Sequence, residues 1–434
     1  MLLLLASRIT AKPIATHRAL LLAAHPRRLV TMPPSHKPVR RALLLLPPAP
    51  SPSSYASLKA AYNAPLFTVL KELATSCPSR AQGATLLEIA LPCPHLYGHV
   101  DAPRALHYAT THQLVADLYK LICITASREA IDTEDDQGID ARILLVAYPR
   151  NGQLAAPLPD ATPEQELQGP VIDMHTLAKS RRVWDAVYSV ESEEGEQVLK
   201  SFLSSSISHQ AVTKVRGGIV SVEASAPEPS THPTVNHLSV AVGGTFDHLH
   251  IGHKLLLTMF AFMLGRRSSS TPDAPPSVLT VGITGDALLQ NKKFAEQLES
   301  WKERQESVHA FLSSLVYFGP ENDERVCIRE VQAPGPNGHV VNVDYPFGLT
   351  IRYVEIWDPF GPTITDKEIS ALVLSLETRS GGAAVNKKRA EQGWDPLDVF
   401  EVAVLDASEE DKVDERFQSK LSSTEIRRKR SERT

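Results

Sequence analysis

The sequence predicts an α/β chain of two domains, the second built on a mostly parallel sheet. Three observations carry this. Apolar runs of strand length alternate with runs of helical spacing from about residue 41 onward. The alternation breaks once, at "SVEASAPEPSTHPTVNH" from Ser221 to His237, where Pro, Ser, Thr and Ala mark a linker. At 434 residues the chain also exceeds one ordinary domain. The expected layout is an extension over 1–40, a first α/β domain over 41–220, a linker over 221–236 and a second domain over 237–434.

In the first domain, "RALLLLPPAP" opens the packed segment. "SYASLKAAYNAPLFTVLKELA" has helical spacing, "ATLLEIALP" reads as a strand, "ALHYATTHQLVADLYKLICIT" as a helix and "ARILLVAYP" as a strand. "VWDAVYSV" and "GEQVLKSFLSSSI" then give a strand and a helix. The second domain starts with the strand "LSVAVGG" and a helix over about 252–265. A polar loop leads to the strand "VLTVGITG", a helix, and the further helix "WKERQESVHAFLSSLV". The strand "RVCIREVQ", a Pro/Gly loop, the strands "YVEIWDPFG" and "ALVLS", a helix over "AAVNKKRAEQ", the strand "VFEVAVL" and a closing helix after "LSSTEIR" complete the pattern. Such βαβ units bind ligands beyond the carboxyl ends of their strands, at a topological switch point.

Composition narrows the function. Hydrophobic residues make up 42% and charged residues 22%, enough apolar material for real cores. A net charge of −5 argues against a general nucleic-acid or membrane-surface binder. Cys77, Cys93, Cys123 and Cys327 are scattered without a CxxC pair and read as reduced, mostly buried thiols. No apolar stretch reaches the ~18 residues of a transmembrane helix. No acidic residue precedes Glu72, while Arg and Lys recur from Arg8. This start has the make-up of a mitochondrial presequence, or else translation begins at Met32. The chain is expected in the cytoplasm, with the mitochondrion as the alternative.

Two motifs carry chemistry. In "GGTFDHLHIGHK", Gly243 and Gly244 allow a sharp turn and close approach of backbone N–H groups, and Gly252 opens a helix. Thr245 adds a hydroxyl, Phe246 follows it, and His250 and His253 offer imidazole N–H donors three residues apart on the first helical turn. A helix N-terminus with two imidazoles suits a polyphosphate whose charge must be stabilised as a bond breaks. In "LSSTEIRRKR", Ser422, Ser423 and Thr424 provide hydroxyls at a helix start, with Arg427 a turn later, which is a second anion site. "TEDDQG" reads as a solvated loop, and His95 and His99 as surface or structural histidines.

"HIGH" also occurs in class I aminoacyl-tRNA synthetases, but those pair it with a KMSKS loop absent here. The Ser-Ser-Thr-x-Ile-Arg ending instead resembles the small nucleotidyltransferases. With "VGITGDALLQNKKF", "IWDPFGPTITD" and "LSLETRSGGAAVNKKRAEQG" following in order, residues 236–430 resemble the eukaryotic phosphopantetheine adenylyltransferases of the HxGH superfamily, and the long N-terminal extension resembles the fungal version. The resemblance implies a Rossmann-like nucleotidyltransferase domain that joins ATP and 4′-phosphopantetheine into dephospho-coenzyme A and pyrophosphate, the penultimate step of coenzyme A synthesis.

It further implies that His253 and His250 stabilise charge on the ATP phosphates and that Thr245 lies between the two substrates' phosphates. Lys292 or Lys293 holds the attacking phosphate, while Ser422, Ser423, Thr424 and Arg427 bind the leaving pyrophosphate. Gly381, Gly382, Asn386 and Arg389 match a stretch near nucleotide and phosphopantetheine, with Arg389 expected to touch a phosphate. Bacterial relatives carry an Arg-Gly-x-Arg loop where this chain has "ETRSGG", and whether Arg379 substitutes is open. Mg²⁺ is expected to arrive bound to ATP, with Asp247 either near it or structural in the turn. No GxxxxGK[ST] occurs, so the following kinase step is expected of another protein. The alternatives are a cytidylyltransferase or FMN adenylyltransferase, or a scaffold that docks other enzymes of the coenzyme A pathway on the first domain.

Overall fold

A computed structural model describes residues 40–76, 84–133, 138–154, 163, 165–206, 211–220, 235–266, 276–403, 405 and 422–432. The extension before residue 40, most of the linker, Cys77 and Leu421 lie outside them.

The N-terminal domain is a six-stranded, wholly parallel sheet. Its elements are β1 (Arg41–Leu45), α1 (Tyr55–Thr75), β2 (Thr85–Cys93), α2 (Tyr108–Arg128), β3 (Ile139–Ala147), β4 (Val171–Asp173), α3 (Met174–Lys179), β5 (Ala186–Glu191), α4 (Glu193–Ser205) and β6 (Val212–Arg216). The strand order is β4-β3-β2-β1-β5-β6. β2, "TLLEIALPC", is buried along its whole length, as a central parallel strand covered on both faces must be. Short β4, α3 and β6 are additions to the sequence-derived pattern. Three to six residues leave too few turns of periodicity to register.

The C-terminal domain comprises β7 (Ser239–Gly244), α5 (Ile251–Phe262), β8 (Ser277–Thr284), α6 (Trp301–Val316), β9 (Cys327–Gln332), β10 (His339–Tyr345), β11 (Leu349–Ile356), β12 (Ala371–Ser375), α7 (Arg379–Glu391), β13 (Asp398–Val402) and α8 (Ser423–Ser431). Its seven-stranded sheet runs β13-β12-β7-β8-β11-β10-β9. β13, β12, β7, β8 and β11 are mutually parallel, and β11, β10 and β9 form an antiparallel meander. The sheet is therefore mostly parallel, as expected. Two details differ from expectation. "HVVNVDY", which the sequence pattern does not assign to any strand, is β10. The helix expected directly after β8 is only two short 3₁₀ turns, Asp286–Leu288 and Ala295–Gln297.

The two domains share a continuous apolar core. α5 is buried on nearly every side because its own sheet takes one face and α2 of the N-terminal domain takes another. Arginines reinforce the contact. Arg182 pairs with Glu88, a fully buried carboxylate in β2, at 2.6 Å, and Trp184 Nε1 donates to the same carboxylate at 2.6 Å. From there Arg182 Nη2 donates to the carbonyls of Ser314 and Tyr317 at 2.6 and 2.9 Å, capping the end of α6 from across the interface. Phe318 N–H and Gly169 N–H donate to Leu167 O and Val316 O, both at 2.9 Å, stitching the domains backbone to backbone. Among the described residues no helix is long and apolar enough to cross a membrane.

Candidate active site

β7 leads into a loop, Thr245 to His250, that delivers the chain to the first turn of α5. The sharp bend is not made by the glycines, as the sequence had implied. Gly243 and Gly244 complete β7, whereas Phe246 (φ +53°) and His248 (φ +45°) take the left-handed conformation. That conformation costs a non-glycine residue energy, so the surroundings must impose it. They do. Phe246 is fully buried, and a Cβ on Gly244 would lie 3.0 Å from its ring, so Gly244 contributes room rather than flexibility. His248 N–H donates to Glu299 Oε2 at 2.8 Å, and Arg304 Nη1 donates to Thr245 O at 2.7 Å.

Arg304 was not foreseen. It is completely buried on α6, and its remaining N–H groups reach Glu299 O, Thr284 O and Asp286 Oδ1 at 3.0, 2.8 and 2.6 Å. One guanidinium thus ties the β7 loop to the β8 loop. A lone arginine in a helix reads as solvated in sequence, so nothing there marked it.

His250 is the N-cap of α5, its Nδ1 accepting the His253 N–H at 3.4 Å. That acceptance places the proton of a neutral His250 on Nε2. The two imidazoles stack with centroids 3.8 Å apart, and Phe246 meets His253 edge-on at 5.5 Å. A Cβ on Gly252 would press on the His250 ring at 3.2 Å, which explains the glycine between the histidines. Burial pushes His253 down to about 4, helped by the charge of His248 and opposed by Glu299. Burial, with His253, Lys254 and His248, pushes His250 well below its ordinary value. Burial thus favours the neutral form of both rings near pH 7, in which each carries one N–H donor. His248 differs. Burial would lower it, but the hydrogen bond and charge of Glu299, with the charge of Asp247, raise it.

The serine motif packs against this loop. Arg427 and Asp247, 3% and 0% exposed, form a buried ion pair, and Ser423 Oγ donates to Asp247 O at 2.8 Å. Arg427 Nε also donates to Lys293 O at 3.0 Å, and Nη2 to Thr424 Oγ1 at 3.2 Å. Asp247 Oδ1 accepts Glu299 N–H at 3.0 Å, so the carboxylate also ties the loop to the segment before α6. Ser422, the N-cap of α8, makes no side-chain cap bond. The two helix N-termini thus converge on one loop. Arg427, expected on the pyrophosphate, is instead the brace between them, because burial against Asp247 spends its charge.

A cavity of about 390 Å³ opens at the carboxyl ends of β7, β8, β11 and β12, at the switch between β7 and β12. Gly243, Gly244, Gly381 and Gly382 line it, but His250 and His253 do not. Lys292 and Lys293 are both exposed in the segment after β8.

Two expected contacts are corrected. Arg389 is 2% exposed, and its guanidinium donates to the carbonyls of Asp395, Thr363, Asp366, Lys367 and Ile369 at 2.8 to 3.2 Å. Five carbonyl acceptors leave it nothing for a phosphate. Asn386 is likewise spent, donating to Leu397 O at 3.0 Å and accepting Leu397 N–H at 2.8 Å. Arg379 pairs with Glu401 at the surface.

Residues 241–429 match a family described as cytidylyltransferase-like, and residues 32–223 match a domain of unknown function. A phosphopantetheine adenylyltransferase of Pyrobaculum aerophilum is 31% identical over 193 residues, 44% of this chain and 90% of that protein. The chain belongs to the phosphopantetheine adenylyltransferase family. The Saccharomyces cerevisiae member of that name is 39% identical over 188 residues, 43% of this chain and 47% of its own length. An uncharacterized protein of Schizosaccharomyces pombe is 32% identical over 248 residues, 56% of this chain and 64% of its own length. The chain thus spans roughly half to under two thirds of these two fungal relatives. The second alignment is longer than residues 237–434, so it includes part of the N-terminal half.

Proposed function

We propose that this chain transfers the adenylyl group of ATP to 4′-phosphopantetheine, giving dephospho-coenzyme A and pyrophosphate. The observation that carries the reading is the convergence of two helix N-termini, each with its own motif, on the Asp247 loop beside a cavity at the strand switch point. The name carried by the Pyrobaculum and Saccharomyces relatives supports the acceptor.

A phosphate oxygen of phosphopantetheine attacks the α-phosphorus of ATP in line, and the bond from that phosphorus to the bridging oxygen breaks as pyrophosphate leaves. No covalent enzyme intermediate is required, so catalysis is positioning and charge stabilisation. The neutral His250 and His253 donate N–H bonds to the ATP phosphates, and the half-buried Thr245 hydroxyl bridges the reacting phosphates. The open first turn of α8, with Ser422, Ser423 and Thr424, receives the pyrophosphate. Lys292 or Lys293 holds the acceptor phosphate. The glycine-lined cavity takes the organic part of one substrate.

Mg²⁺ enters as Mg·ATP. The carboxylates beside the loop do not fit it. Asp247, His248 and Glu299 lie close together, but Asp247 is paired with the Arg427 guanidinium, and Glu299 already accepts the His248 N–H. No step is assigned to a protein-held ion.

The test is pyrophosphate release by residues 32–434 with Mg·ATP, comparing 4′-phosphopantetheine, FMN, nicotinamide mononucleotide and no acceptor. Release with phosphopantetheine alone is expected. Release only with another acceptor discards the substrate assignment, and silence with all four discards the activity.

A further inference from the structure

Among the described residues, the first turn of α5 contains a lysine that forms no ion pair with an acid of its own domain. Lys254 directly follows His253, is 3% exposed, and its backbone N–H closes the turn by donating to His250 O at 3.0 Å. An ammonium is disfavoured at a helix N-terminus, and a buried one requires a counter-charge. Among the described acids of the C-terminal domain, Asp247 pairs with Arg427, and Glu299, which lines the same cleft as Lys254, accepts the His248 N–H. The counter-charge comes from the other domain, where Asp140 of β3 lies with Oδ1 2.7 Å from Lys254 Nζ. Asp140 is itself fixed. Its Oδ2 accepts Arg142 Nε and Nη2 at 3.0 and 2.7 Å, and Arg142 Nη1 donates to Ala310 O of α6 at 2.8 Å. The carboxylate, the ammonium and the His248–Leu249 corner of the loop face a common cleft of about 200 Å³ between the domains.

We propose that Asp140 is a positioning residue: through Lys254 the N-terminal domain anchors the first turn of α5 and so sets where His250 and His253 stand. The N-terminal domain then contributes to catalysis without touching substrate. The lysine is a tether whose anchor lies more than a hundred residues earlier in the chain.

This inference rests on the adenylyl-transfer reading for its kinetic consequence but not for its structural one, so it is tested with two readouts on the full chain. The first is backbone amide exchange of His253 through Leu257 in the absence of substrate. In Asp140→Asn these amides are expected to exchange at least tenfold faster, while β8 and the N-terminal sheet keep wild-type rates. The second is pyrophosphate release, in which kcat is expected to fall tenfold or more with the KM for ATP changed less than threefold. Lys254→Met cuts the tether from its other end and leaves Asp140 held by Arg142. It is expected to show the same pair of effects, and it carries the test if Asp140→Asn does not fold. Arg41→Ala breaks the exposed Arg41–Glu321 pair between the same domains and is expected to change neither readout.

Unchanged exchange in the folded variants overturns the proposal, as does an equal effect from Arg41→Ala or a loss confined to KM. If the wild type turns over no acceptor, the adenylyl-transfer reading fails and amide exchange alone still decides the anchoring.

Discussion

At the residue scale, Arg389 and His253 separate two meanings of a motif match. Both fall in stretches that resemble the phosphopantetheine adenylyltransferases, yet one faces five carbonyls and the other stands at a helix N-terminus beside a second imidazole. Arg389→Ala is expected to lower stability by about 3 kcal/mol or more, because it strands buried acceptors, and to leave the KM of the remaining folded enzyme near wild type. His253→Ala is expected to do the reverse, cutting kcat by a hundredfold or more with little change in melting temperature or ATP affinity. Thermal melts and steady-state kinetics on both variants check this, and a raised KM without destabilisation in Arg389→Ala would restore it to the phosphate. The sequence could not tell these roles apart. A phosphate-binding arginine and a carbonyl-gathering arginine are the same letter at the same helical position, and only burial distinguishes them. HxGH was legible because its glycine and histidine spacing has few other uses.

At the element scale, α6 is the part that links the domain contact to the Thr245–His250 loop. Its N-terminus carries a full capping box, Ser300 Oγ accepting Glu303 N–H at 3.3 Å while Glu303 Oε2 accepts Ser300 N–H at 2.8 Å. One turn on, Arg304 holds the β7 and β8 loops, and at the far end Arg182 of the other domain caps the helix. Ser300→Ala is expected to cost about 1 kcal/mol, measurable by urea titration, and to lower kcat in addition because Arg304 loses its seat. A loss of stability with unchanged kcat would show that the cap and the loop are independent. The helix itself was readable from periodicity. The missed elements have physical reasons. β6 is a short edge strand with mostly exposed side chains, and β10, though alternating, follows a Pro/Gly turn that masked it.

At the scale of the whole molecule, neutral histidines make folding sensitive to acid. Burial pushes His95, His253 and His309 each down to about 4, with His107 and His99 adding to the effect at His95. Between about 6.5 and 4 the unfolded chain therefore binds protons that the folded chain refuses, and stability rises with pH across that window. The contribution is complete above about 6.5 and is lost as the pH falls toward 4. His248, raised by Glu299, works in the opposite sense and only partly offsets three groups. The melting temperature is expected to fall steadily from pH 7 to pH 4.5, and a flat profile would contradict these assignments. The two-domain α/β plan was legible from alternation alone. The union of the domains was not, because the groups that join them, Asp140, Arg142, Arg182 and Lys254, are charged residues that a sequence assigns to solvent.

The burial of α5 on nearly every side has a consequence for ancestry and for handling. A relative of which 193 matching residues form 90% of its length has no room for a second domain of this size. In this chain α2 covers one face of α5, and every residue from Lys254 to Phe262 is buried. The two domains are therefore not independent parts of this chain. A gene fragment beginning at the linker would bare the α2-covered face of a helix buried from Lys254 to Phe262, and its solubility would depend on repainting that face with polar residues first.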